Sequence, residues 1–502
     1  MKISTLLKSL SPSRIKGSLN TEITGLFYDS RKVTPGGAFF ALRGMMADGH
    51  CFIDDALARG ACAVFMEEER SLPDGVTGIL VGNARQALAL AAAAYYGDPT
   101  DAIPVIGVTG TNGKTTVTYL IESILRAAGR NPAVLGTIDY RFGGRHLPSP
   151  HTTPESVDLL KTVAEFRREG ADSLVMEVSS HGLDQDRAGG VHFDVGVFTN
   201  LTSEHLDYHG DMERYFASKS RLFTGPGSAT GRAVINIDDS YGARLAAQLQ
   251  NPLTCGTARK ADIRPRGMHF SLAGIEGVVE TPWGPFGLCS RLLGEFNLQN
   301  LLCAAGAGLV LNIPPEVVAE GLNTTIQVPG RLESIENDRN VLILVDYAHT
   351  GDALGKVLTT LGSLSPRRII TVFGCGGDRD RSKRPIMGEL AARLSDLVVL
   401  TSDNPRTEDP LAILDEVREG IQRIHPRECS RQEAAALSGK GFIAIPDRRE
   451  AIVFSVAILR PGDLLLVAGK GHEDYQVMGH ERIHFDDREE LRRALDQQEV
   501  SS

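Results

Sequence analysis

The sequence predicts a three-domain α/β chain: a small N-terminal α/β domain, a central phosphate-loop domain on a mostly parallel sheet, and a C-terminal Rossmann-like α/β domain. Three observations predict it. A chain of 502 residues exceeds the size at which one hydrophobic core keeps growing, so two to four domains are expected, with three as the starting expectation. Short apolar β runs alternate with helical periods over most of the length. A Gly-rich loop stands where one such run hands over to an amphipathic helix, the context a phosphate loop requires.

Residues 1–98 hold short strand-like runs, Ile23–Asp29 and Ala38–Leu42, then an alanine-rich helical stretch, Ala84–Tyr96, ending at Gly97-Asp98-Pro99. This is the N-terminal domain. Residues 99–330 form the central one. Its buried β runs are Ile103–Gly110, Ser173–Ser180, Asp194–Thr202 and Ala233–Asp238, and their separation by helical periods argues for parallel pairing with helices on both faces. Residues 257–290 turn Gly-rich and alternating, which reads as an antiparallel excursion, and a helix near Asn297 brings the domain back. After Val328-Pro329-Gly330 the third domain, 331–502, repeats the α/β pattern in Asn340–Thr350, Arg368–Gly377, Asp396–Arg406, Gly441–Asp447 and Asp463–Gly471. Each run ends in polar residues, where open parallel sheets place their ligands.

Composition narrows the function classes. Lys plus Arg number 53 against 63 Asp plus Glu, a net charge of −10, which disfavours non-specific attraction to nucleic acid or anionic lipid. The seven cysteines are scattered without a Cys-x-x-Cys pair, so neither a zinc site nor a disulfide framework is indicated. The N-terminal apolar patch is broken by Lys8 and Pro12, and no apolar run is long enough for a span. A cytoplasmic protein, monomeric, with no signal peptide, membrane insertion or nucleic-acid partner, is expected.

The strongest local signal is Gly107-Val108-Thr109-Gly110-Thr111-Asn112-Gly113-Lys114-Thr115-Thr116. Glycines let the backbone wrap phosphate, N–H groups and the helix N-terminus supply positive potential, Lys114 adds a charge, and Thr115 can ligate magnesium. Val117, Leu120, Ile121, Ile124 and Leu125 recur at helical spacing, and Gly129 is placed to cap that helix. The commonest pattern has Gly where this chain has Val108, so the match is to a variant. A Gly-rich turn without nucleotide is the competing reading, and the coincidence of strand, Gly113-Lys114-Thr115 and amphipathic helix weighs against it.

That loop resembles the ATP loop of the Mur ligases and folylpolyglutamate synthetases. Met176–Leu183, Thr199–Gly210, Tyr215–Lys219, Asp346–Thr350, Asp403–Arg406 and Gly469–Tyr475 look like the tripeptide-forming Mur ligase, so the likeness spans essentially the whole chain. It implies an N-terminal domain for a uridine nucleotide, a central ATPase domain and a C-terminal domain for an incoming amino acid. By the same resemblance ATP phosphorylates the D-glutamyl γ-carboxylate of UDP-N-acetylmuramoyl-L-alanyl-D-glutamate, and the amine of meso-diaminopimelate displaces phosphate from the acyl phosphate.

The roles follow from the resemblance, residue by residue. ATP would be held by Gly110, Thr111, Asn112, Gly113, Lys114, Thr115, Thr116, Asn297, Asn300, Arg331, Asp346 and His349. Magnesium ligands would be Thr115, Glu177 and His205; polar strand ends satisfied by loop backbone are the alternative for the last two. Lys219 would carry a carbamate (N6-carboxylysine) that organises metal, and without the resemblance it reads as a surface lysine on a helix. Asn297 taken alone suits a helix cap equally well. Ser30, Thr152, Thr153, Ser179, Gln185 and Arg187 would meet the UDP substrate. Arg379, Asp403, Asn404, Arg406, Gly469 and Glu473 would form the diaminopimelate pocket, with Arg406 offering a bidentate guanidinium to the carboxylate that lysine lacks. Family members often have Pro after the Asp-Tyr-Ala-His-Thr run, where this chain has Gly351. The alternatives are an L-lysine-adding relative, a folylpolyglutamate synthetase-like ligase, and a phosphate-loop switch that ligates nothing.

Overall fold

The structure, a computed structural model, describes residues 1–44, 47–225, 230–325, 327–436 and 439–499. Three α/β sheets account for the architecture. The first has the order Arg14–Lys16, Thr77–Leu80, Ala63–Met66, Ala38–Phe40, Leu26–Phe27, parallel except at the Arg14–Lys16 edge. Its helix Ala84–Tyr96 falls where alanine enrichment predicts. Asn83 accepts from the Gln86 N–H at its start, and Gly97 at φ 75° ends it. The strands are shorter than the sequence runs suggest, because the flanking residues close turns instead of ladders.

The second sheet has eight strands in the order Leu253–Cys255, Arg232–Asn236, Val195–Phe198, Val105–Thr109, Ser173–Glu177, Pro132–Leu135, Asp139–Phe142, Arg145–Pro148. The first six are mutually parallel, and the last two join as an antiparallel ribbon. Residues of Val105–Thr109 and Ser173–Glu177 are buried throughout, which is why they read as unbroken apolar runs. The ribbon escaped the sequence reading because Arg145–Pro148 is exposed and largely polar. Arg264–Ser271, Gly274–Glu280 and Phe286–Ser290 form a separate three-stranded sheet where the Gly-rich excursion lies.

The third sheet has the order Glu333–Ser334, Leu342–Asp346, Asp463–Ala468, Arg368–Phe373, Leu397–Leu400, Gly441–Ala444, parallel beyond its antiparallel first strand. Asp463–Ala468 is inserted between Leu342–Asp346 and Arg368–Phe373, so the chain order is broken there, and the carboxyl ends of such strands are where open α/β sheets place ligands. Apolar clusters cover both faces of this sheet, one around Phe373, Met387 and Ile413, the other around Val372, Ile452 and Leu491. By contact density the chain divides into two compact units. One holds Met1–Pro265, Val279–Phe286 and Gln299–Leu322; the other holds Arg266–Val278, Gly287–Leu298 and Asn323–Ser502.

Candidate active site

In the first unit the phosphate loop leaves strand Val105–Thr109 and enters helix Lys114–Ala127. Two of its glycines are required by geometry. Gly110 sits at φ 146°, and a Cβ there would lie 1.9 Å from Thr199 Oγ1; Gly113 sits at φ 86°, and a Cβ there would lie 2.2 Å from Asn300 Oδ1. Thr199 and its neighbour Asn200 brace the loop. The Thr111 N–H donates to the Asn200 carbonyl (2.8 Å), the Asn112 N–H to Asn200 Oδ1 (2.9 Å), and Thr199 Oγ1 to the Asn112 carbonyl (2.6 Å). The Asn-Leu-Thr run after Val195–Phe198 is therefore the frame of the loop. Lys114 Nζ folds back onto the carbonyls of Gly110 (2.9 Å) and Thr111 (2.8 Å).

Replacing Gly113 by Ala should weaken ATP binding at least tenfold, since the left-handed backbone costs about 1 kcal/mol and the Asn300 contact must also be relieved. Gly129→Ala is the control, because Gly129 has a similar φ of 74° but open space at its Cβ. Equal ATP affinity in both variants, measured by titration calorimetry, would show that the Asn300 contact is immaterial.

Lys219 lies on helix Met212–Thr224, which Asp211 caps by accepting from the Arg214 N–H. Its side chain is buried. Nζ donates to the Gly110 carbonyl at 2.7 Å and stands 4.7 Å over the Tyr215 ring. Burial, reinforced by the charge of Lys114, pushes its ammonium well below the ordinary lysine value, while Glu204 pulls the other way. The surface-lysine reading is thereby excluded.

Glu177, fully buried at the end of Ser173–Glu177, accepts from the Thr137 N–H (2.9 Å) and the Thr137 hydroxyl (2.9 Å). That hydroxyl is 3.0 Å from Thr152 Oγ1, and Thr153 Oγ1 donates to the Glu177 carbonyl at 3.0 Å. Thr153 Oγ1 also accepts from the Ser179 N–H, and Ser179 caps the helix Ser180–Asp184. Thr152, Thr153, Ser179 and Glu177 thus form one connected group. Gln185 and Arg187 extend it: Arg187 Nη2 donates to Gln185 Oε1 (2.7 Å) and Nη1 to the Thr153 carbonyl (3.2 Å). Sequence reasoning missed Glu155, which holds Arg187 (3.2 Å) and Arg85 (3.0 Å) by its carboxylate. Contacts spanning this much chain leave no local spacing signal. Ser30 is buried at the start of the turn Ser30–Lys32, capped by Asp29.

His205 adopts a left-handed φ of 57° before the short helix Leu206–His209. Its ring meets His181 edge-on at 4.9 Å and Tyr215 at 6.2 Å. Burial lowers its pKa, with Glu204 opposing, which favours the neutral ring whose nitrogen lone pair can meet a metal. Burial, then His205 and His209, drives His181 down to about 4. Thr115 and Thr116 are buried in the first turn of the loop helix, and Asn300 lies against Gly113. A threonine hydroxyl and a carboxylate are hard oxygen donors, which fits Mg²⁺: it takes few protein ligands and retains water and phosphate oxygens.

In the second unit Asn297 sits in the first turn of helix Glu295–Val310, its amide donating back to the Leu293 carbonyl at 2.9 Å. It is therefore not an N-cap acceptor. Asp346 ends Leu342–Asp346 and accepts from the N–H groups of Leu332 and Ala348, both at 2.8 Å; burial raises its pKa, with Arg331 opposing. Arg331 stacks over Tyr347 at 4.6 Å, and His349 Nδ1 is 2.7 Å from the Tyr347 carbonyl.

Asp403 and Asn404 follow Leu397–Leu400, and Gly469 and Glu473 follow Asp463–Ala468, so two parallel strands on either side of Arg368–Phe373 supply one cluster from their carboxyl ends. Asn404 Nδ2 donates to Glu473 Oε2 at 3.0 Å. Arg406, at φ 53°, donates its N–H to the Val477 carbonyl and Nη1 to the Gly377 carbonyl at 2.7 Å. Arg379 is exposed, its Nη1 on the Asp378 carbonyl at 3.1 Å, and it flanks Gly376 together with Arg406. Behind the cluster, the fully buried Arg448 pairs with Asp487 at 2.7 Å and donates to the Ser402 and Ala468 carbonyls, tying the two strand ends together.

A glycine-built phosphate loop, with a buried carboxylate at the end of the neighbouring strand and a buried helix lysine on the loop's backbone, defines a phosphate-loop nucleotide enzyme of the α/β class. The chain matches three family profiles, described as the Mur ligase family catalytic domain over 22–96, the Mur ligase middle domain over 108–308 and the Mur ligase glutamate ligase domain over 330–471. It belongs to the Mur ligase family. It is 53% identical to the UDP-N-acetylmuramoyl-L-alanyl-D-glutamate--2,6-diaminopimelate ligase of Geobacter metallireducens, covering 100% of this chain and 99% of that one. The same-named protein of Geobacter sulfurreducens is 52% identical over 98% of each. A solved structure of a ligase of that name is similar at TM-score 0.72 and 35% identity, covering 99% of this chain and 100% of that one. No helix among the described residues is long and apolar enough to cross a membrane.

Proposed function

We propose that this chain is the ATP-dependent ligase that joins meso-2,6-diaminopimelate to the D-glutamyl γ-carboxylate of UDP-N-acetylmuramoyl-L-alanyl-D-glutamate in peptidoglycan precursor synthesis. The observation that carries this is the identity of 53% along the full chain to a protein of that name. The geometry supplies parts for each step. Phosphoryl transfer needs positioning and charge neutralisation more than covalent catalysis. The N–H groups of Gly110–Thr116 and Lys114, swung from its carbonyl partners to the phosphates, would hold ATP, with Asn297, Asn300, Arg331, Asp346 and His349 as its further contacts. Thr115, Glu177, His205 and a carbamylated Lys219 would hold Mg²⁺, which supplies charge neutralisation between phosphate oxygens.

Ser30, Thr152, Thr153, Ser179, Gln185 and Arg187 would orient the UDP substrate so that its γ-carboxylate oxygen attacks the γ-phosphorus in line and ADP departs. The amine of diaminopimelate, held by Arg379, Asp403, Asn404, Arg406, Gly469 and Glu473, then attacks the acyl carbon. A tetrahedral adduct collapses to the amide with loss of phosphate and a proton. The domain limits 1–98, 99–330 and 331–502 assign these tasks to the UDP substrate, ATP and amino acid in turn. The enzyme works as a cytoplasmic monomer, a location supported by its dependence on ATP and a nucleotide-linked substrate. Phosphate release by purified protein with ATP, magnesium and the UDP dipeptide tests the reading. Release and tripeptide product with meso-diaminopimelate, not with L-lysine, are expected; release with lysine alone would make it the lysine-adding ligase, and release with neither would overturn it.

A further inference from the structure

Lys470 is fully buried against Asp403 and Asn404 of the amino-acid cluster, and nothing in the reaction described above uses it. Its Nζ donates to Asn404 Oδ1 at 3.0 Å and to the Tyr475 carbonyl at 2.7 Å, and lies 3.3 Å from Asp403 Oδ1. Asn404 Oδ1 also accepts from the Val477 N–H at 3.0 Å. With two donors facing one end of the amide, that end must be the oxygen, and Nδ2 is turned toward Glu473 Oε2. The contact of Asp403 Oδ1 with Lys470 is an ion pair without hydrogen-bond alignment, and this buried oxygen accepts no hydrogen bond from the described residues.

We propose that Lys470 is a positioning residue for the amino-acid pocket: it fixes the direction of the Asn404 amide and stands against the Asp403 carboxylate, leaving Glu473 as the carboxylate that meets the ammonium of the diamino acid. This rests on the reading of that pocket given above. Burial and then Asp403 hold the Glu473 carboxyl above its usual range, while Lys470, the Asn404 amide and Arg406 oppose them. Tyr347, Tyr475 and Arg448 are also coupled to it. Glu473 holds an ammonium only when ionised. Loss of Lys470 therefore raises its pKa further and moves the acid limb of kcat/KM for diaminopimelate to higher pH.

The test compares wild type with Lys470→Met and Lys470→Arg in the complete three-substrate reaction. Lys470→Met should raise KM for meso-diaminopimelate by about tenfold or more, shift the acid limb upward, and leave KM for ATP and for the UDP dipeptide within about twofold. Lys470→Arg keeps the charge, so it should restore the acid limb while retaining a raised KM, because its fork does not reproduce one nitrogen between two oxygens. If Lys470→Met does not fold, a Lys470→Arg protein with wild-type KM for diaminopimelate overturns the proposal. So does a folded Lys470→Met protein with unchanged KM and acid limb. Wild type that makes no product with diaminopimelate overturns the pocket reading itself, and the inference with it.

Discussion

Replacing Lys219 by Ala is expected to lower kcat by about a thousandfold or more, the scale on which removal of a charge-organising group acts in a water-poor site, with a much smaller change in ATP affinity. Desolvation and Lys114 hold this buried amine below its ordinary pKa, which favours the unprotonated form. An unprotonated amine is the form that adds to carbon dioxide, giving a carbamate and releasing a proton. Position and chemistry agree, since Nζ touches the Gly110 carbonyl of the phosphate loop. A carbamate at Lys219 would turn the amine into an oxygen donor for Mg²⁺. Activity should therefore fall when the protein is equilibrated in carbon dioxide-free buffer and return with bicarbonate. Labelled bicarbonate should give a carbamate carbon signal in wild type and none in Lys219→Ala. A variant that keeps near-normal kcat, or activity indifferent to carbon dioxide removal, would reduce Lys219 to a structural brace.

Much of this site was legible because its residues lie at strand ends that the sequence marks twice, by an apolar run and by the polar residues after it. Glu177 after Ser173–Met176 and Asp346 after Val341–Val345 are such cases, and the structure buries both. The phosphate loop was legible for a different reason: Gly110 and Gly113 are dictated by backbone angles and contacts that other residues cannot meet. What stayed hidden depends on long-range pairing. Thr137 orients Glu177 from a separate strand connection, Glu155 joins Arg85 to Arg187, and Arg448 reaches Asp487. In each case one residue is an ordinary charged or hydroxyl side chain whose surroundings alone give it a role. Lys470 lies between. The Gly-Lys-Gly-His-Glu run was recognisable, but only the structure turns its lysine inward instead of toward solvent.

Replacing Arg406 by Ala should raise KM for meso-diaminopimelate by about a hundredfold, near the upper range for a charge-assisted bidentate contact of about 1.5–3 kcal/mol, with ATP binding unchanged. Its left-handed φ of 53° does not confound the test, because Arg and Ala both carry a Cβ and bear similar backbone strain. The residue is locked from both sides: its N–H and carbonyl pair with Val477 and Gly479, and Nη1 is fixed on the Gly377 carbonyl at 2.7 Å. A guanidinium anchored at one nitrogen presents a plane of defined direction, which suits a second carboxylate and gives nothing to the methylene end of lysine. The ratio of kcat/KM for diaminopimelate over lysine should therefore collapse toward unity in Arg406→Ala. Arg406→Lys should not rescue it, since a single ammonium cannot form the paired contact. The measurement is phosphate release with each amino acid varied separately; unchanged selectivity would place the discrimination elsewhere, with Glu473 and Asp403 as the remaining groups that read the far end of the substrate.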